Sequence, residues 1–306
     1  MIMPFQPDYE VPAPRQAYTF IAEPKAGWEG IAILMLHGFM GSPVSSRDMG
    51  AHFAQQGVTV HCPLLPGHGN LPYKIHGHHK AEWLAEAEEG FQFLKKDYEQ
   101  VFVIGHSMGA VEAAYLADKY QNDVCGLVLF APLYDVPDWR IKMAVFGRYV
   151  MPWFYPLKRK EVDSDVFLGR VTDFDPTIDV TDPELADWLV EATRLPMDAI
   201  DEMRKMSALG RKLWGKIHQP VIIFQGGTDP AVDTAFVEKL FQKLATADKE
   251  MKFFPQAGHE IMRPVEPIHK KVWEKTLDFI EDHAEFGEKK PTPLNAPSFL
   301  KQDSEE

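Results

Sequence analysis

The segment Gly105-His106-Ser107-Met108-Gly109 constrains this chain more than any other. It follows an apolar run at 101–104 and precedes a stretch at 108–120 with helical spacing. A Gly-x-Ser-x-Gly between a strand and a helix puts a serine on a tight turn. A serine hydroxyl is a weak nucleophile, so it must stand exposed at the sheet edge within reach of a base. The flanking positions leave no room for a Cβ, which accounts for Gly105 and Gly109. Ala110, Ala113 and Ala114 let the following helix sit close to the sheet. The same five residues also fit a plain glycine-rich turn with a solvated serine, so the assignment depends on partners elsewhere. A dinucleotide-binding turn is not matched, because Gly-x-Gly-x-x-Gly is absent here.

Around this turn strands and helices alternate. Residues 18–22 read as a short strand after a Pro-rich start that wraps the surface. Strands are predicted at 31–36, 58–63, 101–104 and 126–130, with helices at 45–56, 81–96 and 108–120. The strands are apolar throughout, the pattern of a parallel sheet covered on both faces. The alternation stops after Pro132, and 133–216 shows helical and loop signals only. Within it, Thr181-Asp182-Pro183 starts a helix, with a capping side chain before proline at the first helical position. Pro196 begins another. Strands resume at 221–224 and 251–254, with helices at 234–244 and 265–283. The expected organisation is a core of 1–132 and 217–284, a helical cap at 133–216, and a C-terminal tail at 285–306.

A serine nucleophile needs a base and an orienting acid, expected in the chain order Ser, Asp/Glu, His. The strand at 221–224 runs into Gly226-Gly227-Thr228-Asp229-Pro230, and the strand at 251–254 into Gly258-His259. Catalytic groups gather outside the carboxyl ends of parallel strands. His259 is the expected base, and Asp229 the acid that holds its tautomer. Asp233 competes for the acid role but fits the start of the next helix better. A tetrahedral intermediate also needs two preorganised donors. One is the amide of Met108, and the other the amide of Phe39 in His37-Gly38-Phe39-Met40-Gly41.

Composition narrows the partners. Among 306 residues there are 32 Lys+Arg against 45 Asp+Glu, a net charge of −13. Nucleic acid is excluded as a partner, since phosphate binding needs a basic face. No run approaches the roughly 18 apolar residues of a membrane span. The N-terminus lacks the basic-then-apolar pattern of a signal peptide. Two cysteines exclude a disulfide scaffold and fit a reducing compartment, so a cytoplasmic location is expected. Cys62 and Cys125 fall on strands separated by two others, about 14 Å apart and too far to bridge. His68, His76, His78 and His79 lack the fixed ligand spacing and Cys or carboxylate company of a zinc site. Neither a metal nor a cofactor is implied.

Taken together, His37-Gly38-Phe39-Met40-Gly41, Leu65-Pro66-Gly67-His68-Gly69, the serine turn, Gly226-Gly227-Thr228-Asp229-Pro230-Ala231-Val232 and Gly258-His259 resemble the α/β-hydrolase superfamily. More narrowly, the chain resembles the bacterial carboxylesterase and monoacylglycerol lipase branch. The resemblance implies an α/β fold with a mostly parallel twisted sheet flanked by helices, and a helical cap inserted after the sixth core strand. It also implies a small-molecule ester as substrate, of short to medium acyl chain or a monoacylglycerol, held under a cap that covers an apolar tunnel. The insert is rich in large apolar groups, among them Met143, Phe146, Met151, Phe154, Phe167, Met197 and Met203. Met40, Met143, Phe146, Met151 and Met203 are the expected substrate-binding residues, although core packing explains such groups equally well. Met40 and Met108 are both expected at the apolar mouth. The same triad serves an acyltransferase or thioesterase, and cleavage of an amide or carbon–carbon bond also stays open. A binding protein that kept the fold without catalysis would be expected to lose a triad member.

Overall fold

In a computed structural model the described residues are 5–23, 25–135, 151–160, 162 and 164–286. The strands are β1 (Tyr18–Phe20), β2 (Ile31–Leu36), β3 (Thr59–Cys62), β4 (Gln100–His106), β5 (Val124–Phe130), β6 (Trp153–Phe154), β7 (Leu195–Pro196), β8 (Val221–Gly226) and β9 (Lys249–Phe254). The helices are α1 (Val44–Gln55), α2 (Lys80–Lys95), α3 (Met108–Lys119), α4 (Ser164–Phe174), α5 (Ala186–Ala192), α6 (Met197–Leu213), α7 (Thr234–Lys243) and α8 (His269–His283). The main sheet has seven strands in the order β1-β3-β2-β4-β5-β8-β9. Only β1 runs antiparallel, against β3.

All six residues of β2 are buried, as a central strand covered on both faces requires. Successive side chains go to opposite faces. Leu34, Val103, Leu127 and Ile223 face the core beneath α2 and α3, whereas Ile33, Phe102, Val128 and Ile222 face the core beneath α1 and α8. Helix α2 buries Trp83, Ala87, Phe91 and Leu94 along one stripe. It starts in a capping box, where the Glu82 carboxylate accepts from the His79 amide at 2.8 Å. Both cysteines are free, with β2 and β4 between their strands.

Two expectations need correction. The insert follows the fifth strand of the described chain, not the sixth, because the Pro-rich N-terminal segment contributes β1 alone. The insert is also not purely helical: Phe154 pairs with Leu195 and Trp153 with Pro196 in an antiparallel two-stranded ribbon. Strands of two residues carry no periodicity, which hid them in the sequence. At the helix start expected at Thr181-Asp182-Pro183, Asp182 accepts from the Glu184 amide at 2.8 Å. A 3-10 turn (Pro183–Leu185) then leads into α5. Among the described residues no helix is long and apolar enough to cross a membrane. All but the first two residues of the expected tail lie outside the described residues.

Candidate active site

Ser107 stands between the last residue of β4 and the first of α3, at φ 54° and ψ −111°. A non-glycine residue holds such a conformation only where its surroundings over-determine it. Here the Ser107 amide donates to the Phe130 carbonyl at 2.9 Å, and the Ser107 carbonyl accepts from Leu133 at 3.1 Å. The two glycines are sterically required. A Cβ on Gly105 would lie 2.4 Å from the Gly109 carbonyl oxygen, and one on Gly109 would lie 2.2 Å from that of Leu36. The Ser107 side chain remains half-buried while its neighbours in β4 and α3 are buried.

The loops after β8 and β9 are pressed together by the same device. A Cβ on Gly226 or Gly227 would strike the carbonyls of Ala257 or Pro255, at 2.3 and 2.5 Å. Thr228 donates its amide to Ala257 at 3.0 Å. This close packing brings Asp229 to His259: Oδ2 accepts from Nδ1 at 2.8 Å. The other oxygen, Oδ1, accepts from the amides of Ala231 and Val232 at 2.8 and 2.9 Å. The Asp229 side chain is 1% exposed. Burial alone pushes its carboxyl up, but the bond from His259, the charge of that ring and the two amides outweigh it and hold the group below its ordinary value. With Nδ1 donating to Asp229, Nε2 is the nitrogen that accepts a proton. Asp233 caps α7, accepting from the Ala235 amide at 2.8 Å, and plays no part in the pair.

Beside the serine turn, the amide of Gly41 donates to the Gly38 carbonyl at 3.0 Å and closes a turn over Phe39 and Met40. Met40 takes a positive φ of 59°. A Cβ on Gly38 would lie 3.1 Å from Ser107 Cβ, so the loop carrying Phe39 abuts the serine. His37 braces the loop, with Nδ1 donating to the Gly38 carbonyl at 3.0 Å and Nε2 accepting from the Leu65 amide at 3.2 Å. Met108 opens α3, where an amide has no intrahelical carbonyl to bond. Both expected donors therefore lie on segments that adjoin Ser107.

Of the expected substrate-binding residues, Met40 packs with Phe39 on the cap residues Leu195 and Ile200, a cluster that Phe154, Phe167 and Met197 also join. Met203 packs on the large core beneath α2 and α3. Met108 is fully buried in that core, so its side chain is not at the mouth. Met151 is 61% exposed, on the outside of the cap. Met143 and Phe146 lie outside the described residues. The apolar groups over the serine loop are thus Phe154, Phe167, Leu195, Met197 and Ile200. Sequence reading saw the insert as apolar but had no means of choosing among its residues.

His106, the variable residue before the serine, was also missed. Its Nε2 donates to the His259 carbonyl at 3.1 Å, tying the two loops together. Burial, with the adjacent His259 ring, lowers its pKa to about 4 and keeps it neutral. The other histidines serve other ends. His76 pairs with Asp198 at 2.9 Å, His78 with Glu82 at 3.3 Å, and His68 is buried with Nδ1 3.0 Å from the Pro66 carbonyl. Among the described residues no three His, Cys, Asp or Glu side chains are grouped to hold a metal ion.

The geometry can be set beside known proteins. Residues 30–266 match the family described as Hydrolase_4, serine aminopeptidase S33. A thermostable monoacylglycerol lipase of Bacillus sp. (strain H-257) is 27% identical over 264 residues, 86% of this chain and 96% of that protein. A carboxylesterase of Bacillus subtilis (strain 168) is 24% identical over 247 residues, covering 79% and 91%. Among solved structures, a chain described with the metagenome-derived lipolytic enzymes LipS and LipT superposes with a TM-score of 0.72 at 20% identity, covering 90% of this chain and all of that one. The monoacylglycerol lipase of Paleococcus ferrophilus gives 0.67 at 18% identity, covering 88% and 98%. The fold is that of the α/β-hydrolases, and the chain belongs to the Hydrolase_4 (serine aminopeptidase S33) family.

Proposed function

We propose that this protein hydrolyses carboxylic esters of short to medium acyl chain, or monoacylglycerols, through an acyl-enzyme on Ser107. The observation that carries the reading is the 2.8 Å bond between buried Asp229 and His259. His259 lies on the loop that His106 ties to the serine turn. Ser107 Oγ attacks the ester carbonyl while His259 Nε2 takes its proton. The amides of Phe39 and Met108 bind the resulting oxyanion. Asp229 stabilises the imidazolium. Collapse of the intermediate breaks the ester C–O bond, and the leaving alcohol takes the proton back from His259. Water then attacks the acyl-enzyme by the same route, releasing the acid and restoring Ser107.

Two features favour an apolar ester over other acyl compounds. Phe154, Phe167, Leu195, Met197 and Ile200 form an apolar cover over Phe39 and Met40, suited to an acyl chain. The relatives named as monoacylglycerol lipase and carboxylesterase point to the same bond. Residues 133–216 act as the cap on the core formed by 1–132 and 217–284.

The test is a hydrolysis panel of p-nitrophenyl esters, monoacylglycerols, triacylglycerols and an aminoacyl anilide, run on the wild type and on Ser107→Ala. Ester turnover is expected, with a loss of roughly a thousandfold or more in Ser107→Ala. Full activity of Ser107→Ala would overturn the mechanism. An added alcohol acceptor separates hydrolysis from transfer: a dominant transesterification product would move the assignment to an acyltransferase. Turnover of the anilide alone would move it to an amide hydrolase.

A further inference from the structure

Behind His259, four charged side chains form a square across the boundary between cap and core. The cap helix α4 supplies Arg170 and Asp173, and the histidine loop supplies Glu260 and Arg263. Two edges are short. Arg170 Nη2 donates to Glu260 Oε1 at 2.8 Å, and Arg263 grips Asp173 with two bonds of 3.0 and 2.9 Å. Both short edges cross from cap to core. The two long edges stay within one side: Arg170 to Asp173 at 3.6 Å, and Arg263 to Glu260 at 3.9 Å. The side chains are 14 to 24% exposed, so the square is largely withdrawn from water.

Each side of the boundary carries one positive and one negative member. If the cap moves away, Arg170 turns to Asp173 and Glu260 to Arg263, and no charge is left alone. Breaking a buried pair is costly when one partner is stranded; this arrangement avoids that cost. Glu260 Oε2 and Arg170 Nε are buried without a hydrogen-bond partner in the closed arrangement, which leaves valence for the exchange. Glu260 is held ionised in this arrangement. Burial pushes its carboxyl up, but Arg170 foremost, with His106, Arg263 and His259, holds it well below the ordinary range. Buried Arg15, anchored on the Gly69 carbonyl at 2.9 Å, adds a further positive charge to the field of the square.

The same cap helix carries Phe167, which packs on the Leu195 and Ile200 cluster that Phe39 and Met40 beside the serine also join. One end of α4 therefore touches the apolar cover of the site, and the other grips the residue that follows His259. We infer that Arg170 and Glu260 are positioning residues: seating the cap clasps the loop that carries His259 and sets the imidazole in its working orientation. This rests on the reading of His259 as the base. Misplacing a catalytic group by about 1 Å costs rate rather than affinity.

The experiment uses the full chain with p-nitrophenyl butyrate, measuring kcat and KM for Arg170→Met, Arg170→Lys, Glu260→Gln, the double variant Arg170→Met/Glu260→Gln, and His259→Ala. Arg170→Met and Glu260→Gln are each expected to lower kcat roughly tenfold, with KM within about twofold. The double variant should be about as slow as either single one, because the two residues act through one bond. Arg170→Lys, which keeps the charge, should stay within about threefold of wild type. Single variants with unchanged kcat, effects that multiply in the double variant, or equal losses in Arg170→Met and Arg170→Lys would each overturn the clasp. His259→Ala separates the two readings. If it is inactive while the clasp variants behave as wild type, only the clasp fails. If it turns over ester at the wild-type rate, the proposed function fails first.

Discussion

The two halves of the site are held by different forces. Around Ser107 the chain is fixed by backbone against backbone: glycines at 105 and 109 meet carbonyl oxygens at distances no side chain tolerates. Over the site, the cap has one short backbone ribbon of β6 and β7 and is otherwise joined to the core by side chains: a small apolar cluster and the square of ion pairs. The central strands β2, β5 and β8 are almost wholly buried, whereas the cap leaves Met151 and Trp188 at 61% and 41% exposure, as the outer edge of the main domain leaves Phe253 at 47%. Backbone contacts define one geometry, while side-chain contacts permit exchange between alternatives. A nucleophile needs the first, and a cover that admits substrate needs the second.

The sharpest way to break this comparison is one substitution made in both regions. Gly109→Ala drives a methyl into the Leu36 carbonyl, 2.2 Å away. It is expected to cost about 3 to 5 kcal/mol and to abolish ester turnover, read by thermal unfolding and assay. A variant with wild-type Tm and rate would mean that the turn is not sterically fixed.

Acid should reach the core before the cap. Burial lowers His61, His68 and His106 each to about 4, from an ordinary value of 6.5. Their folded-state pKa lies below the unfolded one, so the unfolded chain binds more protons between these values. The stability they contribute is present in full above pH 6.5 and is lost as pH falls towards 4, by roughly 3 kcal/mol per histidine. Tm measured from pH 7.5 to 4.5 should fall steeply, and His61→Gln should flatten that slope. An unchanged slope in His61→Gln would remove the histidines from the explanation.

Changes in the cap should move selectivity rather than stability. Phe167→Ala, and separately Phe154→Ala, should lower the octanoyl-to-acetyl preference in kcat/KM roughly tenfold. Tm should stay within about 3 °C of wild type. A changed rate on acetate esters with unchanged chain preference would place these rings away from the acyl group. The smallest effect is expected at Gly169 in α4, where an added Cβ meets nothing within 4 Å. Gly169→Ala should stabilise by up to about 1 kcal/mol, opposite in sign to Gly109→Ala. A loss there would show the cap helix to be as tightly packed as the core.

Much of the core was legible because its signals are local. Apolar runs marked β2, β4, β5 and β8 to within a few residues, and the glycine spacing marked the serine turn. The cap was not legible in the same way. Its ribbon pairs Phe154 with Leu195 across many intervening residues, and its two-residue strands leave no periodic trace. The expected substrate residues were chosen by residue type, and type does not say which way a side chain faces: Met151 turned outward and Met108 inward. His106 and Glu260 sit beside residues that had been singled out, yet their partners, the His259 carbonyl and Arg170, are remote in the chain.

By itself, then, the sequence determined the parallel α/β core, the serine on its turn, and the order in which Asp229 and His259 follow it. These depend on steric and hydrophobic patterns that repeat over a few residues. Only the tertiary structure decided that Asp229 rather than Asp233 meets His259, that Phe154, Phe167 and Met197 share a cluster with Phe39 and Met40, and that Arg170 and Glu260 join cap to core. Those choices are made by packing between distant segments, where a distance of a few ångströms selects one partner among several chemically equal ones.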